Sequence, residues 1–144
     1  MVHRLQVDSY RGCLRMKALC LKQPYASWIA EGKKTIETRT WKTNYRGRFL
    51  VVASRGLDLL RELELPIDEY PIGVALAIAK ILNCRPMKEQ DEKAACCEFH
   101  DGAYAWELGE IQRIDPFPVK GQLSFFNVPY GPHGKHQTKL RKVA

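Results

Sequence analysis

Residues 23–41, with the sequence QPYASWIAEGKKTIETRTW, combine the signals for a short helix, a glycine turn and a strand. Pro24 stands at a first-turn position, which favours the start of a helix. The helix has one apolar face, built from side chains three and four residues apart: Tyr25, Trp28 and Ile29. Gly32 is expected to end the helix as a C-terminal cap.

The residues after this turn, from Lys34 to Trp41, alternate as they do in a strand. Because side chains on a strand point to its two faces in turn, Glu37 and Arg39 share one face. Lys34 lies on the opposite face unless the turn redirects it. The stretch therefore groups a lysine, a glutamate and an arginine on one helix–turn–strand unit.

The sequence on either side of this unit predicts several short strands and few helices. Strands are expected at 16–22, 48–53, 73–82 and 103–108, with 111–114 extending the last or pairing back, and 122–128 a strand or short helix. A short helix is expected at 57–63 and a polar, helix-compatible excursion at 88–98. Since strands do not alternate regularly with long helices, the predicted fold class is α+β: a small, mostly antiparallel β-barrel of five to six strands with flanking short helices.

The chain of 144 residues has the size of one domain with a sizeable core. We expect a poorly ordered N-terminal extension over 1–15, a folded domain over 16–130 and a basic C-terminal tail over 131–144. Met16 is a more typical opening residue than Met1, so the true start is left open between them. No run approaches about 18 apolar residues and no secretory signal pattern opens the chain, so we expect no membrane partner and a cytoplasmic location.

The net charge of +7 is unevenly distributed. Residues 1–17 contribute +3 and residues 131–144 contribute +4, so the body between them is neutral. Within the body, residues 33–55 carry +6 and residues 56–115 carry −7. This segregation predicts a basic face suited to an anionic ligand, unless the two segments neutralise each other across the fold.

The five cysteines include no Cys-x-x-Cys pair, and the four histidines do not complete a zinc knuckle. Free buried thiols are therefore expected, with no metal and no cofactor. A metal site at Cys96, Cys97 and His100 is the alternative.

Four residues of the opening stretch, Gly32, Lys34, Glu37 and Arg39, fit the pattern G-x-K-x-x-E-x-R. This pattern resembles the signature of the ASCH superfamily, which is similar to PUA domains. The flanking sequence agrees with that family in order: Gln23-Pro24-Tyr25, Tyr45-Arg46-Gly47, Gly73, Tyr104-Ala105-Trp106-Glu107-Leu108 and Pro118-Val119-Lys120-Gly121. The resemblance covers roughly residues 16–128 and implies a PUA-like β-barrel with a cleft beside the first helix and the motif strand.

The resemblance implies binding of RNA or a nucleotide in that cleft. Some bacterial relatives deacylate N4-acetylcytidine, some are described as ribonucleases, and others are ASCH domains of transcription coactivators. We therefore expect an RNA- or nucleotide-binding protein, with a hydrolase acting on RNA or a modified nucleoside as the alternative.

The residue types fit such a cleft on their own chemistry. Arg39 and Lys34 can hold a phosphate or a carbonyl, and Glu37 can accept from a base amino group. Aromatic side chains can stack on a base. The predicted ligand-binding set is Tyr25, Lys34, Glu37, Arg39, Trp41 and Arg46. A salt bridge between Glu37 and Arg39 that orients the strand, and a solvated Lys34, are the structural alternatives.

The hydrolase alternative meets one departure from the family. The resembling amidohydrolases carry a threonine, the proposed nucleophile, where this chain has Glu37. Thr35 and Thr38 do not occupy that position, and a shift of one residue on a strand turns a side chain to the other face. If the chain hydrolyses a substrate, we expect Glu37 to activate water and Lys34 to stabilise the oxyanion.

Overall fold

The computed structural model describes residues 6–7, 14–130 and 141–142. They form eight strands: β1 (Gln6–Val7), β2 (Leu14–Leu21), β3 (Ile36–Arg39), β4 (Arg48–Ala53), β5 (Val74–Pro86), β6 (Tyr104–Pro118), β7 (Phe126–Pro129) and β8 (Arg141–Lys142). The described helices are short: α1 (Tyr25–Ala30), α2 (Asp58–Glu62) and α3 (Glu92–Ala95), with 3-10 turns at Ile67–Glu69 and Glu89–Asp91.

The predicted terminal segments, 1–15 and 131–144, lie largely outside the described residues, so their order and role stay predictions. The described backbone of β1 pairs antiparallel with β2, and that of β8 pairs with β6. None of the helices in the described part of the chain is long and apolar enough for a membrane span.

The strands form one sheet in the order β1-β2-β4-β5-β6-β3, with β7 paired to β2 and β8 to β6. β2 and β4 are parallel, and the other pairings in the described ranges are antiparallel. In those ranges no backbone pairing joins β3 to β2, so the sheet is not closed into a barrel. The predicted α+β class, with a mostly antiparallel sheet and short helices, is confirmed, and the sheet itself stays open.

The central strand β4 is buried on both faces, which explains its unbroken apolar run. Phe49 and Val51 pack in the cluster that also contains Ile29 of α1. Leu50 and Val52 pack in a second cluster on the other face. The sheet therefore separates two layers of core, and α1 covers one of them.

The hairpin of β5 and β6 extends farther than the sequence predicts. β6 continues through Gly109 and Glu110, where the sequence left open a second strand that pairs back. A Cβ atom at Gly109 would lie 2.6 Å from Cδ1 of Leu82, and Glu110 has a φ of 49°. The register shifts near this point, between Ile78 and Lys80 and again between Ile81 and Asn83. β6 therefore passes through Gly109 and Glu110 as a β-bulge that bends the hairpin, and the strand does not end at these residues.

Candidate functional site

The turn after α1 redirects Lys34 into the protein. Gly32 has a φ of 80° and donates its N–H to the Ile29 carbonyl over 2.9 Å, while Lys33 donates to the Trp28 carbonyl over 2.9 Å. These two bonds form a Schellman motif. Lys34 also donates its backbone N–H to the Trp28 carbonyl, over 3.0 Å, and β3 begins only at Ile36. Lys34 is thus not a strand residue on the far face, and it is not solvated.

Lys34 is fully buried, with 0% exposure. Its ammonium donates to the backbone carbonyl of Ala95, at the end of α3. Nζ lies 3.7 Å from Oε1 of Glu37 and 4.6 Å from the centre of the Tyr25 ring. The charge is therefore compensated by a carboxylate, a carbonyl dipole and an aromatic face.

Glu37 is 6% exposed and joins the two cations of the motif. Its Oε2 accepts from Nε of Arg39 at 3.1 Å and lies 3.0 Å from Nη2 of the same guanidinium. Its Oε1 accepts the backbone N–H of Thr38 at 3.1 Å. We call Lys34, Glu37 and Arg39 the motif cluster. It contains the Glu37–Arg39 salt bridge that the sequence left as an alternative.

Arg39 connects β3 to β2 at a place where the two strands do not pair. Its Nη2 donates to the backbone carbonyl of Cys20 at 2.8 Å. The side chain is 23% exposed, and its remaining nitrogen, Nη1, has no acceptor within the described ranges. The guanidinium therefore fixes the edge strand and still presents one donor group.

The segment that holds the Ala95 carbonyl is fixed by a second ion pair. Nη1 and Nη2 of Arg85 donate to the two carboxylate oxygens of Asp91 at 2.7 and 2.8 Å. Asp91 also accepts the backbone N–H of Lys88 at 2.8 Å. The hydrogen bonds from Arg85 lower the pKa of Asp91 from 3.8 to about 2, and the pKa of Arg85 is raised. Because α3 contains Ala95, this pair positions the acceptor of Lys34.

Two partly exposed aromatic rings of α1, Tyr25 and Trp28, lie edge to face with their centres 6.0 Å apart. We call them the aromatic platform. Nζ of Lys33 lies 4.0 Å from the centre of the Trp28 ring, as Nζ of Lys34 lies over Tyr25. Burial raises the pKa of Tyr25, and Cys97, Glu37 and Cys96 raise it further, so its hydroxyl is neutral at physiological pH.

Trp28 is a candidate functional residue that the sequence does not single out, because a tryptophan on the apolar face of a helix is more often a core residue. Lys33 is marked by the sequence only as one cation of the basic segment 33–55. Trp106 is fully buried, whereas Trp28 is only partly so. The signal was present in Gly32: in a Schellman motif the residue after the glycine contacts the helix residue five positions earlier. That rule pairs Lys33 with Trp28.

Two further predicted ligand residues, Trp41 and Arg46, make their contacts with other parts of the protein. Trp41 packs edge-on against Trp106, with ring centres 4.7 Å apart, and its carbonyl accepts from the Trp106 indole at 3.3 Å. Arg46 is exposed and its Nη1 donates to the carbonyls of Thr43 and Tyr45, at 2.8 and 3.2 Å. No hydrogen bond, ion pair or ring contact in the described ranges joins either residue to the motif cluster, and their binding roles stay predictions.

The basic and acidic segments neutralise each other only in part. Arg48 and Lys80 both lie 3.6 Å from Oε2 of Glu110. Other cations of the basic segment, Lys33, Lys42, Arg46 and Arg55, are exposed and form no ion pair within the described part of the chain. The cysteines with described side chains are free, and no group of three or more possible metal ligands occurs among the residues described.

We predict that Glu37→Gln strongly destabilises the protein. The substitution leaves a fully buried ammonium and a guanidinium without their shared counter-charge, which costs about 3–5 kcal/mol. Denaturant unfolding of the variant and of wild type measures this loss in the free energy of unfolding. Glu107→Gln is the matched control, because Glu107 lies on the neighbouring strand in a looser pair, 3.5 Å from Arg85, and should cost less than about 1 kcal/mol. Equal midpoints for Glu37→Gln and wild type would contradict the structural role of the motif cluster.

We predict an acid-sensitive contribution from Asp91. Because its folded-state pKa is about 2 and its unfolded value is 3.8, the stabilisation is complete above about pH 4 and is lost as the pH falls through about 2. Unfolding of wild type and Asp91→Asn from neutral to acidic pH measures this. The difference between them should shrink over that window, whereas Asp58→Asn, at a 97% exposed carboxylate, should show no such change. A constant difference for Asp91→Asn would refute the assignment.

Comparison with known proteins agrees with this architecture. Activating signal cointegrator 1 is 28% identical in Mus musculus and 26% in Homo sapiens; each match covers 86% of this chain and 24% of the relative, so the chain spans about a quarter of these curated relatives. The crystal structure of ASCH from Zymomonas mobilis shares the fold, with a TM-score of 0.54 and 18% identity, and the match covers 72% of this chain and 73% of that one. A serine-to-alanine mutant of the same protein matches with a TM-score of 0.53 and 15% identity, over 80% of this chain and 87% of that one. The family model of the ASCH domain matches residues 19–118, which include the whole motif cluster. Because that match takes in more than half of the chain, the protein belongs to the ASCH domain family.

Proposed function

We propose that the protein binds RNA, or a nucleotide, at the surface formed by the aromatic platform, Lys33 and Arg39. One observation carries the proposal: two partly exposed rings lie next to each other, and the exposed ammonium of Lys33 lies over one of them, 4.0 Å from the centre of the Trp28 ring. Bases stack on aromatic rings whatever their sequence, and ammonium groups attract the phosphates between them. The ASCH family is generally linked to RNA binding, which supports the same ligand class.

The motif cluster contributes to this surface mainly by positioning. Its carboxylate is occupied by Arg39, Lys34 and the Thr38 N–H, so it has little capacity left for a ligand. Nη1 of the partly exposed Arg39 is the group available to a phosphate or to a base carbonyl. We therefore assign direct contacts to Tyr25, Trp28, Lys33 and Arg39, and a supporting role to Lys34 and Glu37.

We predict that Trp28→Ala weakens binding of single-stranded RNA about five- to hundredfold, because one stacking ring is lost. Trp28→Phe should retain most of the affinity because it keeps a ring. Tyr70→Ala is the control: its ring is partly exposed but lies in the segment after α2. Fluorescence titration at several salt concentrations measures these affinities. Lys33→Ala should lower the slope of log affinity against log salt by about 0.7.

The proposal fails if the three aromatic variants bind RNA equally well. It also fails if wild type shows no binding at low salt, since electrostatic attraction is strongest there.

A second candidate function, hydrolysis of RNA or an acylated nucleoside, is favoured by one observation. Lys34 and Glu37 approach to 3.7 Å beside the Tyr25 ring, so an ammonium and a carboxylate meet at one point. Such a pair suits oxyanion stabilisation and activation of water. Against it, Lys34 is fully buried and its ammonium already donates to the Ala95 carbonyl.

Incubation with a panel of acylated cytidines and RNA oligomers, followed by mass detection of products, tests hydrolysis. If the second function holds, wild type forms product and Lys34→Met does not, because methionine keeps most of the length of the side chain and removes its charge. Circular dichroism of Lys34→Met separates loss of chemistry from loss of folding. No product from wild type would exclude this function, and equal yields from both proteins would exclude Lys34 as the group that stabilises the oxyanion.

A further inference from the structure

A groove of about 710 Å³ opens at one end of the sheet. β2 and β4 are parallel, so their carboxyl ends meet there, and β5 begins where β6 ends at the same edge. The residues that line the groove come from these four strand ends and from the loop before β7: Cys20, Ala53, Ser54, Arg55, Gly73, Val119, Lys120, Gly121, Gln122 and Leu123.

The charge of the groove is positive. Arg55 and Lys120 are its charged lining residues, both are exposed, and no carboxylate is among the lining residues. Neither cation forms an ion pair within the described ranges. The Arg55 side chain lies close to the backbone of Gly73, where a Cβ atom would be 2.9 Å from its Nε. Two uncompensated cations beside a concave surface form a site for an anion.

The other half of the groove is apolar. The Cys20 thiol reaches the backbone of Gly121, since a Cβ atom there would lie 2.5 Å from its Sγ. Val119 is buried, and Leu123 is 95% exposed. A partly apolar ligand that covers the Leu123 side chain removes its apolar surface from water, which is favourable. The groove therefore suits a ligand with an anionic end and a flat apolar end.

The groove is adjacent to the motif cluster. Arg39 donates to the carbonyl of Cys20, and the Cys20 side chain lines the groove. One guanidinium therefore contacts both the motif carboxylate and the strand that forms the groove wall.

We propose that this groove is a nucleotide subsite, in which a phosphate lies between Arg55 and Lys120 and the nucleoside covers Val119 and Leu123. Gln122 also lines the groove, and its side-chain amide can both donate to and accept from a base edge. The inference rests on the proposed function, because it treats the groove as part of the same RNA-binding surface. Its recognition element, however, is the phosphate and not the stacking ring.

Protection of Cys20 from alkylation tests this subsite in the intact protein. Iodoacetamide labelling at alkaline pH, mapped by peptide mass spectrometry, reports each thiol separately. Burial raises the pKa of Cys20, so the alkaline condition supplies its reactive thiolate. Uridine 5′-monophosphate should slow labelling of Cys20 and leave Cys84 unchanged, whereas uridine at the same concentration should protect neither.

Removal of either cation should raise the nucleotide concentration needed for half-protection about tenfold, because a charge-assisted contact to phosphate is lost. The variants are Arg55→Ala and Lys120→Ala. Lys88→Ala is the matched control, since Lys88 is exposed beyond the far end of β5. The subsite is refuted if uridine protects Cys20 as well as its monophosphate does. It is also refuted if Arg55→Ala and Lys120→Ala need the same nucleotide concentration for half-protection of Cys20 as Lys88→Ala.

Failure of the subsite differs from failure of the proposed function. If single-stranded RNA binds in a manner that depends on Trp28, but neither RNA nor the monophosphate protects Cys20, the subsite is wrong and the proposed function stands. If the monophosphate protects Cys20 and single-stranded RNA does not bind, RNA binding at the aromatic platform is wrong and the groove is a site for free nucleotides.

Discussion

The buried carboxylate of Glu37 is the interaction on which the rest of the site depends. It compensates a fully buried ammonium on one side and a guanidinium on the other. Through these two cations it connects the carbonyl of Ala95 on α3 and the carbonyl of Cys20 on β2. β3 pairs only at one edge, with β6, in the described part of the chain, so the side-chain contacts of Arg39 take the place of a second ladder.

A charged motif in a cleft suggests direct contact with a ligand, but these charges are mainly used within the protein. Buried ions retain their charge only when they are paired and hydrogen-bonded, and the motif cluster meets that condition without a ligand. The groups left for the proposed recognition are the neighbours of the motif: two rings, one surface lysine and one guanidinium nitrogen. The family pattern therefore identifies the region of the candidate site, whereas burial and interatomic distances show which of its charges are paired within the protein and which groups remain at the surface.

Much of the fold was predictable from local chemistry. Pro24 and Gly32 predicted the bounds of α1, and the apolar run of β4 predicted a buried strand. The course of β6 could not be predicted, because the bulge at Gly109 and Glu110 depends on the approach of Leu82 from β5, a contact distant in sequence. The direction of Lys34 was left open for a related reason: strand alternation gives the wrong face when the turn, and not the strand, positions the side chain. The groove could not be predicted from the sequence either, because its lining residues come from the ends of separate strands.

The Schellman turn has a consequence for how recognition in this protein can change over time. Trp28, Gly32 and Lys33 lie within six residues of one another, and the bonds that arrange them form within one helix and its first loop residues. The motif cluster, by contrast, depends on contacts with residues far along the chain. Substitutions at the partly exposed Trp28 and the exposed Lys33 are therefore expected to alter the proposed ligand surface at small cost in stability, while those at Glu37 disturb its links to two distant segments, α3 and β2, at once. On the proposed assignment, ligand preference and structural integrity depend on neighbouring positions of one short peptide, yet they can vary almost independently.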